Sequence, residues 1–383
     1  MAAFEDKSTL VAGMVSFNGL IPIFGITGSG GVSETEIGIM TIPSYNNWLS
    51  RLNDSPYKTS GPTGAWAGEW WSIYNYLQYG GICVVGSTGS TGSYYNQNGI
   101  LNTNNTPLHN ANLVALDVVF DGGNDNSAVA AANVASTRED CLAFIGNKQL
   151  IVFDPNDTVS GYTFHTRDFG VTAGSRYVCF FAGRKNSLND VSAGTNPPLI
   201  KTTPGSDAAG CLARTFRTSN PWNTLAGTVR GRVLSAVSSE QTISELQANQ
   251  LLSGGVNPII TINGLGTVIM GNKTGYINNI LPFRNINTIN LIVYLKKQYK
   301  NTLDKYLYEQ NNEETRLNII NSIKPIMNNI LSSGAILSFT LTCDSTNNTS
   351  SIISAGKLVL DLIITQATTA ETIVINFIID ASI

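Results

Sequence analysis

Two histidines, His109 and His165, are all that this 383-residue sequence offers for imidazole chemistry. Neither falls in an H-x-x-x-H or H-E-x-x-H spacing, which would set two metal ligands on one helix face. His165 lies in GYTFHTRDFG three residues before Asp168. With a serine the pair could be drawn as a proton relay, but no G-x-S-x-G elbow presents one. Asp117, Asp121 and Asp125 recur every four residues through DVVFDGGNDN. A calcium loop needs oxygen ligands at positions one, three and five, so these carboxylates are expected to ring a loop. GITGSGG at 25–31 follows the apolar LIPIF, yet no lysine completes a phosphate loop and the dinucleotide fingerprint fails in order. The five cysteines, 83, 141, 179, 211 and 343, form no C-x-x-C and read as buried thiols. The sequence therefore predicts no catalytic, cofactor-binding or metal residue, no cofactor and no enzyme.

Composition points the same way. Charged residues make up 13% of the chain, about half the usual share, and the net charge is -3. Without a cluster of Lys and Arg, direct nucleic-acid binding is not expected, and a membrane-surface role is weakened. No run of 18 apolar residues and no basic leader is seen, so a soluble protein of a reducing compartment is the expectation. Such a sparsely charged surface offers little repulsion between copies.

The elements divide the chain in three. Residues 1–29 read as an apolar, glycine-punctuated N-terminal arm that must dock on something. From 30 to 205, helical SYNNWLSRL and GEWWSIYNYLQYGG alternate with the strand candidates ICVVG, NLVALDVV, DCLAFIG and RYVCFFAG, which suggests an α/β domain. Low-complexity 86–110 reads as an exposed loop. From 206 to 383 a helix over TISELQANQLL leads into a strand. Ile289, Ile292, Leu295, Tyr299, Leu303 and Leu307 then mark a long amphipathic helix, and Leu317, Ile320, Ile323, Met327 and Leu331 a second. Pro325 should kink or divide that second helix. AILSFTLTCD, KLVLDLIITQ and TIVINFIID are strands, giving an α+β domain with helices on a small mixed sheet.

From 206 onward an ordered set of segments adds a further level. It runs from SDAAGCLARTFRTSNPWNTLAGTVRG through LLSGGVNPIITINGLGTVIMGNKTG, PFRNINTINLIVYLKKQYKN and YLYEQNNEETRLNI to LSSGAILSFTLTCDSTNNTS and AETIVINFIID. In this order the segments resemble the contractile tail sheath proteins of bacteriophages and related injection machines. The matching positions are Asp207 to Gly210, Asn220, Pro221, Trp222, Ala226, Gly227, Gly255 to Asn257, Gly271, Thr274, Asn311, Gly334, Ala335 and Asn347 to Thr349 after Cys343 and Asp344. The chain departs from the family at Thr288 to Asn290, where paired arginines are frequent, and at Met270, often Trp. It is also short for a phage sheath.

The resemblance implies an outer domain of the subtilisin-like fold type, a C-terminal tube-proximal domain and extended terminal arms. It implies a homo-oligomer of stacked six-subunit rings around an inner tail tube protein, contacting baseplate and tail terminator proteins. No direct nucleic acid and no direct membrane insertion is implied. Such a sheath, assembled in the host cytoplasm and resident in the virion tail, contracts by subunit rearrangement to drive the tube through the host envelope. A sheath of a non-phage injection system, or a passive tail or tube protein, is the alternative. Charges on the two long helices, Lys296, Lys297, Lys300, Lys305, Glu309, Glu313, Glu314 and Arg316, are expected toward the tube.

The near-continuous apolar strand at 370–380 needs partners on both edges, and sheath arms supply such strands to neighbours. Deleting 371–383 is expected to leave the 30–205 body folded while abolishing ordered polymers. Limited proteolysis, circular dichroism and electron micrographs of the truncated protein check this: a soluble folded monomer supports donation, and insoluble protein makes the strand a resident one.

Overall fold

Short, apolar strands buried on both faces are what a parallel sheet demands, and the middle of the chain supplies them. The structure, a computed structural model, describes residues 18–22, 38–42, 46, 67–87, 111, 115–123, 125–146, 176–188, 199–240, 242–276 and 281–367. Its strands are β1 (Asn18–Pro22), β2 (Gly38–Ile42), β3 (Ile82–Ser87), β4 (Val118–Phe120), β5 (Leu142–Ile145), β6 (Val178–Ala182), β7 (Lys185–Leu188), β8 (Leu199–Thr202), β9 (Ser238–Ser239), β10 (Val256–Ile262), β11 (Gly266–Ile269), β12 (Ile336–Thr342) and β13 (Asp361–Gln366). An 8-stranded sheet runs β11-β10-β6-β5-β4-β1-β3-β2, parallel except for antiparallel β2 and β11 at its two ends. A 3-stranded sheet, β8-β7-β9, and a 2-stranded sheet, β12-β13, complete the set.

Every residue of β4, β5 and β6 is buried. Helix Asp125–Arg138 packs on β4 and β5, and helices Ala67–Gln78 and Pro204–Thr218 pack on each other. The 67–78 helix is sunk almost all round. Besides the expected stripe of Trp70, Ile73, Tyr74 and Leu77 it buries Trp71, Tyr76, Ser72 and Asn75, whose amide reaches Thr202 Oγ1 at 3.1 Å. Gly210 permits the two helices to meet: a Cβ there would stand 2.2 Å from Tyr79 Cδ2.

Two boundaries differ from those read in the sequence. β1 lies inside the stretch expected as an arm, yet it is an inner strand between β3 and β4, so its two edges are satisfied within the sheet. Helix Pro204–Thr218 runs across the change read at 206. The helix that starts there is part of the core, with Ala208, Ala209, Leu212 and Phe216 buried. The chain instead separates into compact units at Lys296/Lys297, inside helix Ile286–Leu303. Pattern reading favours Gly and Pro as boundaries, whereas Thr203 and Pro204 here open a helix as its cap and first residue.

A fully buried ion pair fastens that helix to β7. Lys185 Nζ donates to Asp207 Oδ1 at 2.9 Å and to the Leu234 carbonyl at 3.0 Å, with neither charged side chain exposed. Tyr79 Oη donates to the same carboxylate oxygen at 3.0 Å and accepts from Leu234 N at 2.9 Å. Asp207 Oδ2 has no donor among the described residues. Burial raises the Asp207 pKa, and the Lys185 charge with the hydrogen bonds from Lys185 and Tyr79 pulls it back. Burial, then the Asp207 charge, holds Tyr79 well above its ordinary value.

Removing one partner of a buried pair typically costs about 3–5 kcal/mol, and Lys185→Met is expected to do so near neutral pH, read as a lower urea midpoint. With Lys185 gone the Asp207 pKa rises further. Its protonated form is then the folded one, so the loss should be small at acid pH and grow as pH climbs above the unfolded carboxylate range.

Candidate assembly interface

In an open α/β sheet, chemistry concentrates at the carboxyl ends of the strands where their order reverses. Here that point lies between β1 and β4, and Asp121 follows β4 directly. The carboxylate is buried and committed: Oδ1 accepts from Thr203 Oγ1 at 2.9 Å and Oδ2 from Gly146 N at 3.1 Å. A Cβ on Gly205 would stand 2.6 Å from Oδ1. The crevice is thus filled by the chain itself, and Asp121 is a structural tie.

Asp117, Asp121 and Asp125 do not ring one loop. Asp117 precedes β4, Asp121 is enclosed, and Asp125 begins a helix. All five cysteines are buried and free, with Cys211 pushed up to about 12 mainly by burial. His109, His165, Asp168, the 25–31 glycines and the 370–380 strand lie outside the described residues. Among the described residues no group of three or more His, Cys, Asp or Glu could hold a metal, and no helix is long and apolar enough to cross a membrane.

The surface with unmet demand is in the unit from Lys297. Helix Glu313–Ser332 starts on an Asn312 cap, whose side chain accepts from Thr315 N at 2.8 Å. It buries Ile323 and Met327 of the expected stripe together with Ile319 and Ile330, while Leu317 is 53% exposed. Pro325 neither divides nor ends it, because Pro325 and the Asn321 carbonyl it deprives of a donor both lie on the wet side. The helix packs on β12, which among the described residues pairs with β13 alone.

Across that pairing Phe339 faces Ile364 and Leu341 faces Leu362, all only half-buried. The opposite face carries Leu337 and Ile363, each 67% exposed. A two-stranded sheet is marginal by itself in water, and both of its outer edges present backbone donors and acceptors with no third strand among the described residues. Such edges can accept a further strand.

The link between these strands is rigid by side-chain bonding. Asn348, 2% exposed, donates to the carbonyls of Val359 at 2.9 Å and Asp344 at 3.1 Å and accepts from Val359 N at 2.8 Å. Asn347 Nδ2 reaches the Thr342 carbonyl at 2.7 Å and Asp361 Oδ2 at 2.9 Å. Asn311 donates to the Lys357 carbonyl at 2.8 Å. The asparagines singled out in sequence are therefore architectural. So are Asn257, bonded to Phe180 O at 2.9 Å and Lys273 O at 2.7 Å, and Thr274, bonded to Phe283 O at 2.8 Å. At the departure from the family pattern, buried Asn290 donates to the Pro221 carbonyl, beside Trp222 packed on Tyr294 at 5.9 Å. Lys185 and Tyr79 were missed; a lone lysine in FFAGRKNSL carries no periodic signal that it points inward.

Residues 281–380 match the family described as the phage tail sheath C-terminal domain. The tail sheath protein of Vibrio phage KVP40 is 30% identical over 172 residues, 45% of this chain and 26% of the relative. That of Enterobacteria phage T4 is 30% identical over 176 residues, 46% of this chain and 27% of the relative. The matched stretch spans about a quarter of either relative. The helical sheath of the anti-feeding prophage in its contracted state shares the fold, with a TM-score of 0.69 at 15% identity over 96% of this chain and 94% of that one.

Asn348→Ala is expected to destabilise the unit from Lys297 by about 1–3 kcal/mol, since it strands buried backbone groups. Amide exchange should show faster opening of 336–366 with the 178–182 strand unaffected.

Proposed function

We propose that the chain, whose residues 281–380 match the phage tail sheath C-terminal domain, is a contractile sheath subunit of a phage or related injection machine, which polymerises around an inner tail tube and contracts by rearrangement of its packing. The observation that carries this is the β12-β13 sheet, whose edges meet no further strand among the described residues and whose outer face exposes Leu337 and Ile363 among Ser338, Thr340, Asp361 and Thr365, inside the segment that matches the family. Terminal segments of neighbouring copies, 1–17 and 370–380, are the strands proposed to fill those edges. Stacked six-subunit rings, contacts with baseplate and tail terminator proteins, and residence in the virion tail go with this role. Its work is mechanical and needs no catalytic group.

The domain at 30–205 is proposed for the outer layer and the domain at 206–383 for the tube-proximal layer. A subtilisin-like outer layer is the finer reading of the parallel α/β sheet. The likeness to the anti-feeding prophage sheath over 94% of its length supports a compact sheath body, of injection-machine or small phage type.

Ile363→Lys and Leu337→Lys are expected to change monomer stability by no more than about 0.5 kcal/mol while shortening or abolishing sheath polymers in electron micrographs. Polymers of normal length from both variants would overturn the interface.

A further inference from the structure

The end of helix Pro204–Thr218 and the turn after Gly227 form a surface of four arginines. Arg214 donates to the carbonyls of Arg230 at 2.6 Å and Arg232 at 2.8 Å, and its guanidinium lies 5.2 Å from the Tyr79 ring centre. Arg217 donates to the Tyr79 carbonyl, and Arg230 Nε to the Thr224 carbonyl at 2.7 Å. Carbonyls orient a guanidinium without neutralising it. None of the four has a carboxylate within ion-pair distance among the described residues. Arg217 and Arg232 are exposed, and beside them Val229 is 84% exposed.

The unit from Lys297 carries the complement. Tyr308, with φ 69, holds a left-handed conformation that a bulky residue adopts at a cost, and its side chain is fully exposed next to exposed Leu307. Glu309, Glu313 and Glu314 surround this turn, exposed and without an ion-pair partner among the described residues. The nearby cations are otherwise engaged: Arg316 Nε donates to Asn311 Oδ1 at 2.8 Å, and Lys305 lies 5.1 Å from the Tyr306 ring centre.

We propose that the acidic aromatic turn 304–314 of one copy docks on the Arg214, Arg217, Arg230 and Arg232 surface of a second copy. Guanidinium forks suit carboxylates, and Tyr308 with Leu307 supplies apolar area to meet Val229. The two surfaces are different parts of one chain, so the contact is heterologous and propagates from copy to copy. It adds a charge-selective contact to the strand sharing of the sheath reading, on which it rests for the existence of a polymer.

The test mixes full-length Val229→Cys with full-length Tyr308→Cys, since the five native cysteines are buried. A disulfide-linked pair is expected in the mixture and not from either variant alone. Adding Arg232→Glu to the Val229→Cys chain should reduce the yield at least tenfold, and pairing that chain with Tyr308→Cys/Glu313→Arg/Glu314→Arg should restore it. Circular dichroism confirms that each variant is folded. No mixed pair, or equal self-linkage, overturns the docking. A mixed pair from a protein that never forms tubular polymers upholds the docking and defeats the sheath reading; polymers without the mixed pair do the reverse.

Discussion

An amide at an open sheet edge must find an acceptor, and the rest of this molecule follows from where that demand is met. The 8-stranded sheet meets it internally at its β11 end. Residues 231–233 run along β11, with Ile269 N donating to Gly231 O at 2.8 Å and Val233 N to Thr267 O at 2.9 Å. The β12-β13 sheet has no such cover among the described residues. The first unit is closed at that end, whereas the β12-β13 edges are open among the described residues. In the proposed polymer this difference would let copies join through one part while another keeps its own fold.

Buried polar groups serve the closed unit as ties. Asp121 joins the end of β4 to the loop after β5 and the cap of helix Pro204–Thr218, at the place where a related sheet would open to a ligand. Lys185 and Asp207 hold a strand against that helix at a desolvation cost that hydrophobic packing would avoid. A single carboxylate oxygen accepting from both Lys185 and Tyr79 fixes the geometry narrowly. Such ties favour one packing over near neighbours, which suits a body proposed to move as a rigid piece.

The sequence made the 67–78 helix and strands β3 to β6 legible because their apolar residues match a periodicity with turn glycines at the ends. It made the turns from Asn311 to Thr349 legible through family resemblance, although their chemistry is backbone bonding. It failed where tertiary context outweighed local pattern. Helix Glu313–Ser332 carries more apolar residues than one stripe, and only packing on β12 selects Ile319, Ile323, Met327 and Ile330 over Leu317 and Ile320. Pro325 does not divide the helix, because a missing hydrogen bond on the wet side is replaced by water. The unit boundary was hidden within a continuous helix, where composition has no reason to change. Asp121 read as one of three carboxylates ringing a loop because spacing cannot tell a carboxylate aimed at solvent from one aimed at Thr203.

In the proposed polymer two kinds of contact have different energetic characters, and the difference bears on contraction. A shared strand adds several backbone hydrogen bonds, each contributing about 0.5–1.5 kcal/mol net, and all must break together for a copy to leave. Exposed charge pairs contribute about 0–1 kcal/mol each, depend on salt, and re-form in new combinations after small displacements. Strand ladders therefore suit connections that persist through a rearrangement, and the arginine and glutamate surfaces suit contacts that are exchanged during it. A low charge density sharpens this division, because few other charged residues compete with the surface where Arg214, Arg217, Arg230 and Arg232 gather. Stored energy then has to reside in the packing of rigid bodies between two sets of weak contacts, with the ladders acting as tethers that transmit each subunit's displacement to the next.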